Sequence, residues 1–480
     1  MIVLKFGGTS VGDAQRLRRA ARIALDQPGP RLTVVSAASG VTNALLDAAR
    51  AAARGDDARR QLAVKLIQER HAHLLSSIES APRLAEAANL LRPLLDDLNT
   101  ALDRVVHLGK LSPALSDQVV STGEKCMSVL MAATMRDLGG DAVHVFTESV
   151  IATDDRHGSA RPERARTRAN AEVVLRPLLG AGQTVVATGF IGAGPDGATT
   201  TLGRGGSDYS ATLLGAALDA DEVQIWTDVA GVLSADPRVV ERAQVVPEIS
   251  YDEAQELAHF GAKVLHPRTI RPAVARNIPV RILSTFAPEQ AGTVVTRDAP
   301  SERVKAVTAL RGLIMLTVDV PELEDLATTA SAVFRVMHEQ GVEILTASQA
   351  SSRRRMTYLV DAVMGGCAWL QKKLEEETRD LGADISCQER VAVLAAVGQG
   401  AASRTSALSR MLSVLNRANV HVLATSQQSS NVAMLAVVAE DDATRAVEAV
   451  HDAFIRPHVA TARSRRQRRA DMIAEPVRVG

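Results

Sequence analysis

Residues 201–211, TLGRGGSDYSA, concentrate groups that bind anions. Arg204 supplies a cation, Gly205 and Gly206 a tight turn, and Ser207 and Asp208 a hydroxyl and a carboxylate, directly before the apolar run 211–218. That run has helical spacing, with Ser207 or Asp208 expected as its N-cap. A glycine turn feeding a helix N-terminus leaves N–H groups uncovered and favours anions. An arginine beside it grips a carboxylate or phosphate with two parallel bonds. A plain loop-to-helix cap is the alternative, but a cap needs one polar residue rather than this whole set.

Five other segments carry chemistry of the same kind. Lys5, Gly7 and Gly8 close the first strand, where an ammonium and two backbone N–H groups suit phosphate oxygens, although a strand ending in a glycine turn has the same pattern. Ser36 and Thr42 follow the second strand and either line a polar pocket or cap the next helix. Glu124, in the run Ser121-Thr-Gly-Glu, either receives an ammonium group or is a surface helix charge. Thr227, Asp228 and Arg238 follow another strand, in a pattern that suits a nucleotide loop or a common Asp-Pro turn. Lys263 and Val264 follow a glycine, and the chain has only eight lysines. His266 before Pro267 reads as a turn residue, and nothing has the spacing of a metal site. Gly192-Ala-Gly-Pro-Asp-Gly197 matches a dinucleotide fingerprint, but Pro195 argues against the helix it needs, so a hairpin or loop is expected.

These segments require strands to present them. Residues 3–6, 33–36, 183–190, 223–227 and 280–283 read as strands. Residues 14–25, 56–108 with breaks at Pro82 and Pro93, 117–138 and 210–218 read as helices. The alternation predicts an α/β domain of three layers with a mainly parallel sheet over residues 1–290. Pro, Gly and charges cluster in 285–302 and mark its end.

Beyond lies a repeat. Residues 341–360 align without gaps to 419–438, with eight identical positions, including Gln349 and Gln427. Two α+β modules of one type are therefore expected, over 303–385 and 386–460, followed by a basic, frayed tail over 461–480.

Bulk properties narrow the function. With 55 Lys plus Arg and 55 Asp plus Glu the net charge is zero, so a nucleic-acid or membrane partner is not expected. No apolar window spans a bilayer and no signal peptide is seen, so a cytoplasmic location is expected. The three cysteines, Cys126, Cys367 and Cys387, cannot all pair and are expected as reduced thiols.

Taken together and in this order, KFGGTSV, the VVSA strand with Thr42, STGE, TLGRGGSDYSA, WTDVAG, ADPR and FGAKVLHP resemble the aspartate kinases of the amino-acid-kinase fold over nearly the whole chain. The paired modules look like ferredoxin-like ACT domains. The resemblance implies ATP-dependent phosphorylation of L-aspartate with Mg²⁺. Lys5 and Asp208 would support phosphoryl transfer, and Gly7 and Gly8 would hold phosphate oxygens. Arg204 would grip the α-carboxylate, Glu124 the ammonium, and Ser36, Thr42 and Ser207 would line the pocket. Thr227, Asp228, Arg238, Lys263 and Val264 would contact ATP. Asp208 would orient Lys5 or a metal-bound water, since a carboxylate nucleophile needs no base. The SQxSS pattern is closer to threonine-regulated members than to lysine-regulated ones, which points to an effector at Gln349 or Gln427. The family also implies a homodimer through the ACT modules. Leu233 stands where the family has an aromatic residue. A fused homoserine dehydrogenase is not expected, as the sequence stops at Gly480. The rival readings are a glutamate or nucleotide kinase of the same fold and a non-catalytic amino-acid sensor.

Overall fold

The computed structural model describes residues 1–262, 267–299, 303–322, 326–350, 354–363, 365–400, 405–427 and 431–455. The chain divides into two units: Met1–Val232, Val245–Ala254 and Val264–Ala299 form one, and Leu233–Gln244, Gln255–Lys263 and Pro300–Gly480 the other.

In chain order the first elements are β1 (Ile2–Phe6), α1 (Ala14–Leu25), β2 (Arg31–Val35), α2 (Val41–Ala53), α3 (Asp57–Leu75), α4 (Ala81–Leu108), α5 (Pro113–Asp137), β3 (Ala142–Val145), α6 (Arg164–Gly180), β4 (Thr184–Thr188), β5 (Ile191–Ala193), β6 (Thr199–Thr201), α7 (Gly206–Ala217), β7 (Glu222–Thr227), β8 (Glu248–Ser250), α8 (Tyr251–His259), α9 (Pro267–Arg276), β9 (Val280–Ser284) and β10 (Thr293–Thr296). Eight strands form one sheet in the order β3-β4-β2-β1-β7-β9-β10-β8, and only the β9–β10 pair is antiparallel. β1, β2 and β4 are almost wholly buried, as expected of parallel strands covered on both faces by helices. β1 lies between β2 and β7, so the ends of three motif-bearing strands stand side by side. The segment 192–197 forms the end of β5 and the turn of the expected hairpin with β6.

Two local expectations change. Pro93 does not end a helix; it sits inside α4, whereas Pro82 lies in that helix's first turn, where the missing N–H costs nothing. The N-cap of α7 is Gly205, at φ 72°, with no side-chain cap bond. Ser207 and Asp208 therefore fall within its first turn, two and three residues past the cap, because only glycine enters the left-handed region freely.

The second unit continues with β11 (Ala306–Asp319), α10 (Leu326–Glu339), β12 (Ile344–Ala350), β13 (Arg355–Asp361), α11 (Gly366–Glu377), β14 (Asp384–Val397), α12 (Thr405–Arg417), β15 (Val422–Gln427), β16 (Ala433–Ala439) and α13 (Ala443–Phe454). Its strands make one antiparallel sheet, β12-β13-β11-β14-β16-β15. The repeat persists in the register: Gln349 faces Met356 and Gln427 faces Met434, and a bulge interrupts each pairing at the same offset. β11 and β14 run through both halves, so β14 passes unbroken across residues 385 and 386. Two apolar clusters fill the halves, one around Leu316, Val333 and Tyr358 and one around Leu394, Met411 and Val447. Ala235 and Val240 of the segment 233–244 belong to the latter, and the Ser234 hydroxyl meets His451 Nε2 at 2.9 Å.

Cys367, at the start of α11, and Cys387, on β14, form a disulfide with a Cα–Cα distance of 5.7 Å, which corrects the expectation of reduced thiols. Their separation of 20 residues gave no sign of it; the packing of α11 on β14 brings them together. Cys126 is free and buried.

Candidate active site

A cavity of about 610 Å³ opens at the ends of β1 and β2 and the N-terminus of α7. Lys5, Gly8, Ser36, Thr42, Glu124, Arg204, Ser207 and Asp208 all line it, together with Thr9, Ala37, Ser39 and Phe190.

Lys5 is the penultimate residue of β1 and is only 9% exposed. Its Nζ lies 2.6 Å from Asp208 Oδ1 in the first turn of α7. The α7 N-terminus favours an anion at Asp208, and the carboxylate holds the lysine side chain toward the cavity. Gly7 donates its N–H to the Trp226 carbonyl, which ties the turn after β1 to β7. At Gly8 an added Cβ would stand 2.6 Å from the Ala37 carbonyl oxygen, so the loops after β1 and β2 approach to a distance that only glycine allows. The Ser39 N–H donates to the Gly8 carbonyl and the Ser36 N–H to Phe6, completing the join.

Glu124 lies in the middle of α5 and is 4% exposed, which removes the reading as a surface charge. Oε1 accepts a hydrogen bond from the Ala37 N–H at 3.0 Å. Oε2 is buried and has no hydrogen-bond partner among the described residues. Burial pushes the carboxyl up to about 7, against the lowering effects of the Ala37 N–H and the Lys5 ammonium. A buried carboxylate oxygen left open at a cavity wall is an acceptor for a cationic ligand group. Arg204 is exposed and unpaired among the described residues, so its guanidinium is available to an anion.

Thr227 ends β7, on the other flank of β1, and Asp228 follows it; the Thr227 hydroxyl donates to Asp228 at 3.1 Å. Neither lines the cavity. Arg238 is highly exposed, pairs with Asp236 at 2.6 Å and belongs to the second unit. Lys263 and Val264 lie outside the described residues. Gln349 is exposed on the edge strand β12, and Gln427 ends the opposite edge strand β15. Among the described residues no group of three His, Cys, Asp or Glu is placed to hold a metal ion, and no helix is long and apolar enough to cross a membrane.

Sequence reasoning missed two contributors to the cavity and one buried carboxylate on the helix that carries Glu124. The Ala37 backbone N–H holds Glu124 and carries no side-chain signal. Phe190 lines the cavity at φ 70°, with its N–H bonded to the Ser210 hydroxyl. Asp117 appeared only as a helix start, although it lies two turns before Glu124 on one face of α5.

Comparison with known proteins identifies the family. The model of the Amino acid kinase family matches residues 1–284, and an ACT domain model matches 394–454. Lysine-sensitive aspartokinase 3 of Escherichia coli is 33% identical over 94% of this chain and 98% of its own length. The bifunctional aspartokinase/homoserine dehydrogenase of Daucus carota is 32% identical over 94% of this chain, which spans about 50% of that relative. The crystal structure of E. coli aspartokinase III in complex with aspartate and ADP superposes with a TM-score of 0.77 at 30% identity, covering 94% of this chain and 99% of that one. The same enzyme in complex with lysine and aspartate gives 0.78, at 95% and 99% coverage. The chain therefore belongs to the amino acid kinase family, in its aspartokinase branch.

Proposed function

We propose that this chain transfers the γ-phosphoryl group of ATP to the side-chain carboxylate of L-aspartate, giving 4-phospho-L-aspartate and ADP, the first step of aspartate-family amino-acid biosynthesis. The observation that carries this reading is one cavity holding both halves of an amino-acid grip and a phosphate-handling pair: Glu124 with an open oxygen, Arg204 with a free guanidinium, and Lys5 held by Asp208.

In the proposed complex Glu124 receives the α-ammonium and Arg204 the α-carboxylate, while Ser36, Thr42 and Ser207 line the space around the side chain. The two reacting groups are both anions, so the barrier falls when positive charge is fixed between them. Lys5 supplies that charge, and Asp208 keeps the ammonium aimed without removing a proton. Gly8 offers its N–H to phosphate oxygens, whereas the Gly7 N–H is held by the Trp226 carbonyl, so Gly7 contributes by shaping the turn. Thr227, Asp228, Arg238, Lys263 and Val264 are proposed nucleotide contacts. Of the cavity residues only Glu124 and Asp208 are carboxylates, and Asp208 is engaged by Lys5. Mg²⁺ arriving with the nucleotide would then be held mainly by phosphate and water, and would spread the phosphate charge. Binding of ADP and aspartate by E. coli aspartokinase III supports these substrates.

The ACT region is proposed to bind an amino-acid effector, threonine or lysine, at the strand ends carrying Gln349 and Gln427. Lysine in the E. coli complex supports the class of ligand. Among the described residues β12 and β15 have one edge each without a partner strand, which suits a homodimer that continues the sheet between chains.

A hydroxamate assay with ATP, Mg²⁺ and either aspartate or glutamate tests the reaction, with threonine and lysine each titrated in. Acyl phosphate formed from aspartate alone is the expected result. Product from glutamate, or from neither, overturns the reading.

A further inference from the structure

Asp117 lies in the first turns of α5 and is 2% exposed, yet no arginine or lysine pairs with it among the described residues. Its carboxylate is instead surrounded by donors from two other segments. The Thr201 hydroxyl reaches Oδ1 at 2.6 Å and the Thr201 N–H reaches Oδ2 at 3.1 Å. The Gly158 N–H is shared between both oxygens, at 3.1 and 3.0 Å, and His157 Nδ1 lies 2.9 Å from Oδ2. A buried carboxylate with this many donors is strongly held, because every one of them loses its partner together if the charge is removed.

The position of these partners matters more than their number. Thr201 is the last residue of β6, and Arg204 follows three residues later in the turn that enters α7. The Thr201 carbonyl accepts the Ala160 N–H at 2.8 Å, so the 157–160 loop is tied to β6 from both sides. Gly203 packs on the Gly158 carbonyl; an added Cβ there would stand 3.1 Å from its oxygen. On the other side Asp117 shares α5 with Glu124, seven residues on, and two turns of helix are a rigid spacer. One carboxylate therefore joins the helix that carries Glu124 to the strand that leads to Arg204.

We propose that Asp117 is a positioning residue for the amino-acid substrate: through Thr201 and Gly158 it sets the separation between Glu124 and Arg204, and thereby the affinity for the amino acid rather than for the nucleotide. This rests on the assignment of Glu124 and Arg204 to the two ends of that substrate. A fixed span between an acceptor and a guanidinium is a specificity device, because a shift of about 1 Å at one end misaligns both bonds.

The test compares full-length wild type with Asp117→Asn and Thr201→Val in steady-state kinetics, alongside equilibrium binding of aspartate and of ADP. Asn presents an amide N–H₂ to groups that are themselves donors, and Val removes only the Thr201 hydroxyl. In Asp117→Asn the aspartate KM is expected to rise tenfold or more, with kcat within threefold of wild type and ADP affinity unchanged. Thr201→Val is expected to move aspartate KM in the same direction by a smaller factor. If Asp117→Asn does not fold, the KM split in Thr201→Val decides the matter. An unchanged amino-acid KM in folded variants overturns the proposal, as does an equal loss of aspartate and ADP binding, which marks a general structural role. If wild type phosphorylates glutamate instead, the substrate reading fails, and the same split is read on glutamate.

Discussion

Replacing Glu124 by glutamine separates the two consequences of its burial. In the folded protein the carboxyl is raised from 4.5 to about 7, chiefly by desolvation. A carboxyl whose folded value lies above its unfolded value favours the fold while it is protonated. That contribution is complete below about 4.5 and is lost as pH rises through about 7. At 1.36 kcal/mol per unit, the shift corresponds to at most about 3 kcal/mol of destabilisation at pH 8. Glu124→Gln retains an oxygen for the Ala37 N–H and carries no charge to desolvate. The variant is therefore expected to melt above wild type at pH 8, with the gap shrinking through pH 7 and vanishing near pH 4.5. Its activity moves the other way, since an amide does not neutralise an ammonium. For wild type, kcat/KM for aspartate should fall as pH drops below about 7, approaching tenfold per unit, because protonated Glu124 is no longer an anionic acceptor. Glu124→Gln should lack that acid limb. Thermal melts from pH 4.5 to 8 and kcat/KM profiles over the same range provide the readings. A variant less stable than wild type at pH 8, or a flat wild-type profile between pH 6 and 8, would refute the reasoning.

Three further outcomes are expected. Asp208→Asn should lower kcat on the order of 10²-fold, because Lys5 loses the anion 2.6 Å away that aims it; wild-type turnover in this variant would remove Asp208 from the mechanism. Gly8→Ala should cost about 1–3 kcal/mol and most of the activity, since the new methyl group would meet the Ala37 carbonyl oxygen at 2.6 Å, and denaturant unfolding with kinetics reads both effects. Denatured but unreduced protein should expose one titratable thiol, Cys126, and reduced protein three; closing a loop across 20 residues should stabilise the ACT region by about 3 kcal/mol, so a Cys367→Ser/Cys387→Ser variant that melts with wild type would contradict the bridge's stabilising role.

Much of the fold was legible because it is written in local periodicity. Helix α1 and strands β1, β7 and β9 fall within a residue or so of the expected segments, where apolar spacing and glycine punctuation agree. The error at Pro93 has a physical cause: a proline inside a long amphipathic helix is tolerated when packing on both sides holds the turn, and packing is not a local property. Helix α2, anticipated only as the helix that Ser36 or Thr42 would cap, is fixed by the burial of Val41, Leu45 and Ala48 against the core.

The sequence alone established the order of motifs, the types of charge near a phosphate, and the repeat of 341–360 in 419–438. Each of these depends on spacing along one segment. Tertiary structure decided what the charged groups do. It placed Asp208 on Lys5, closed Glu124 away from water with one oxygen open, gathered two distant segments on Asp117 and joined Cys367 to Cys387. Ionisation, pairing and desolvation depend on what lies within a few ångströms in space, and neighbours from distant segments meet only when the sheets and helices pack.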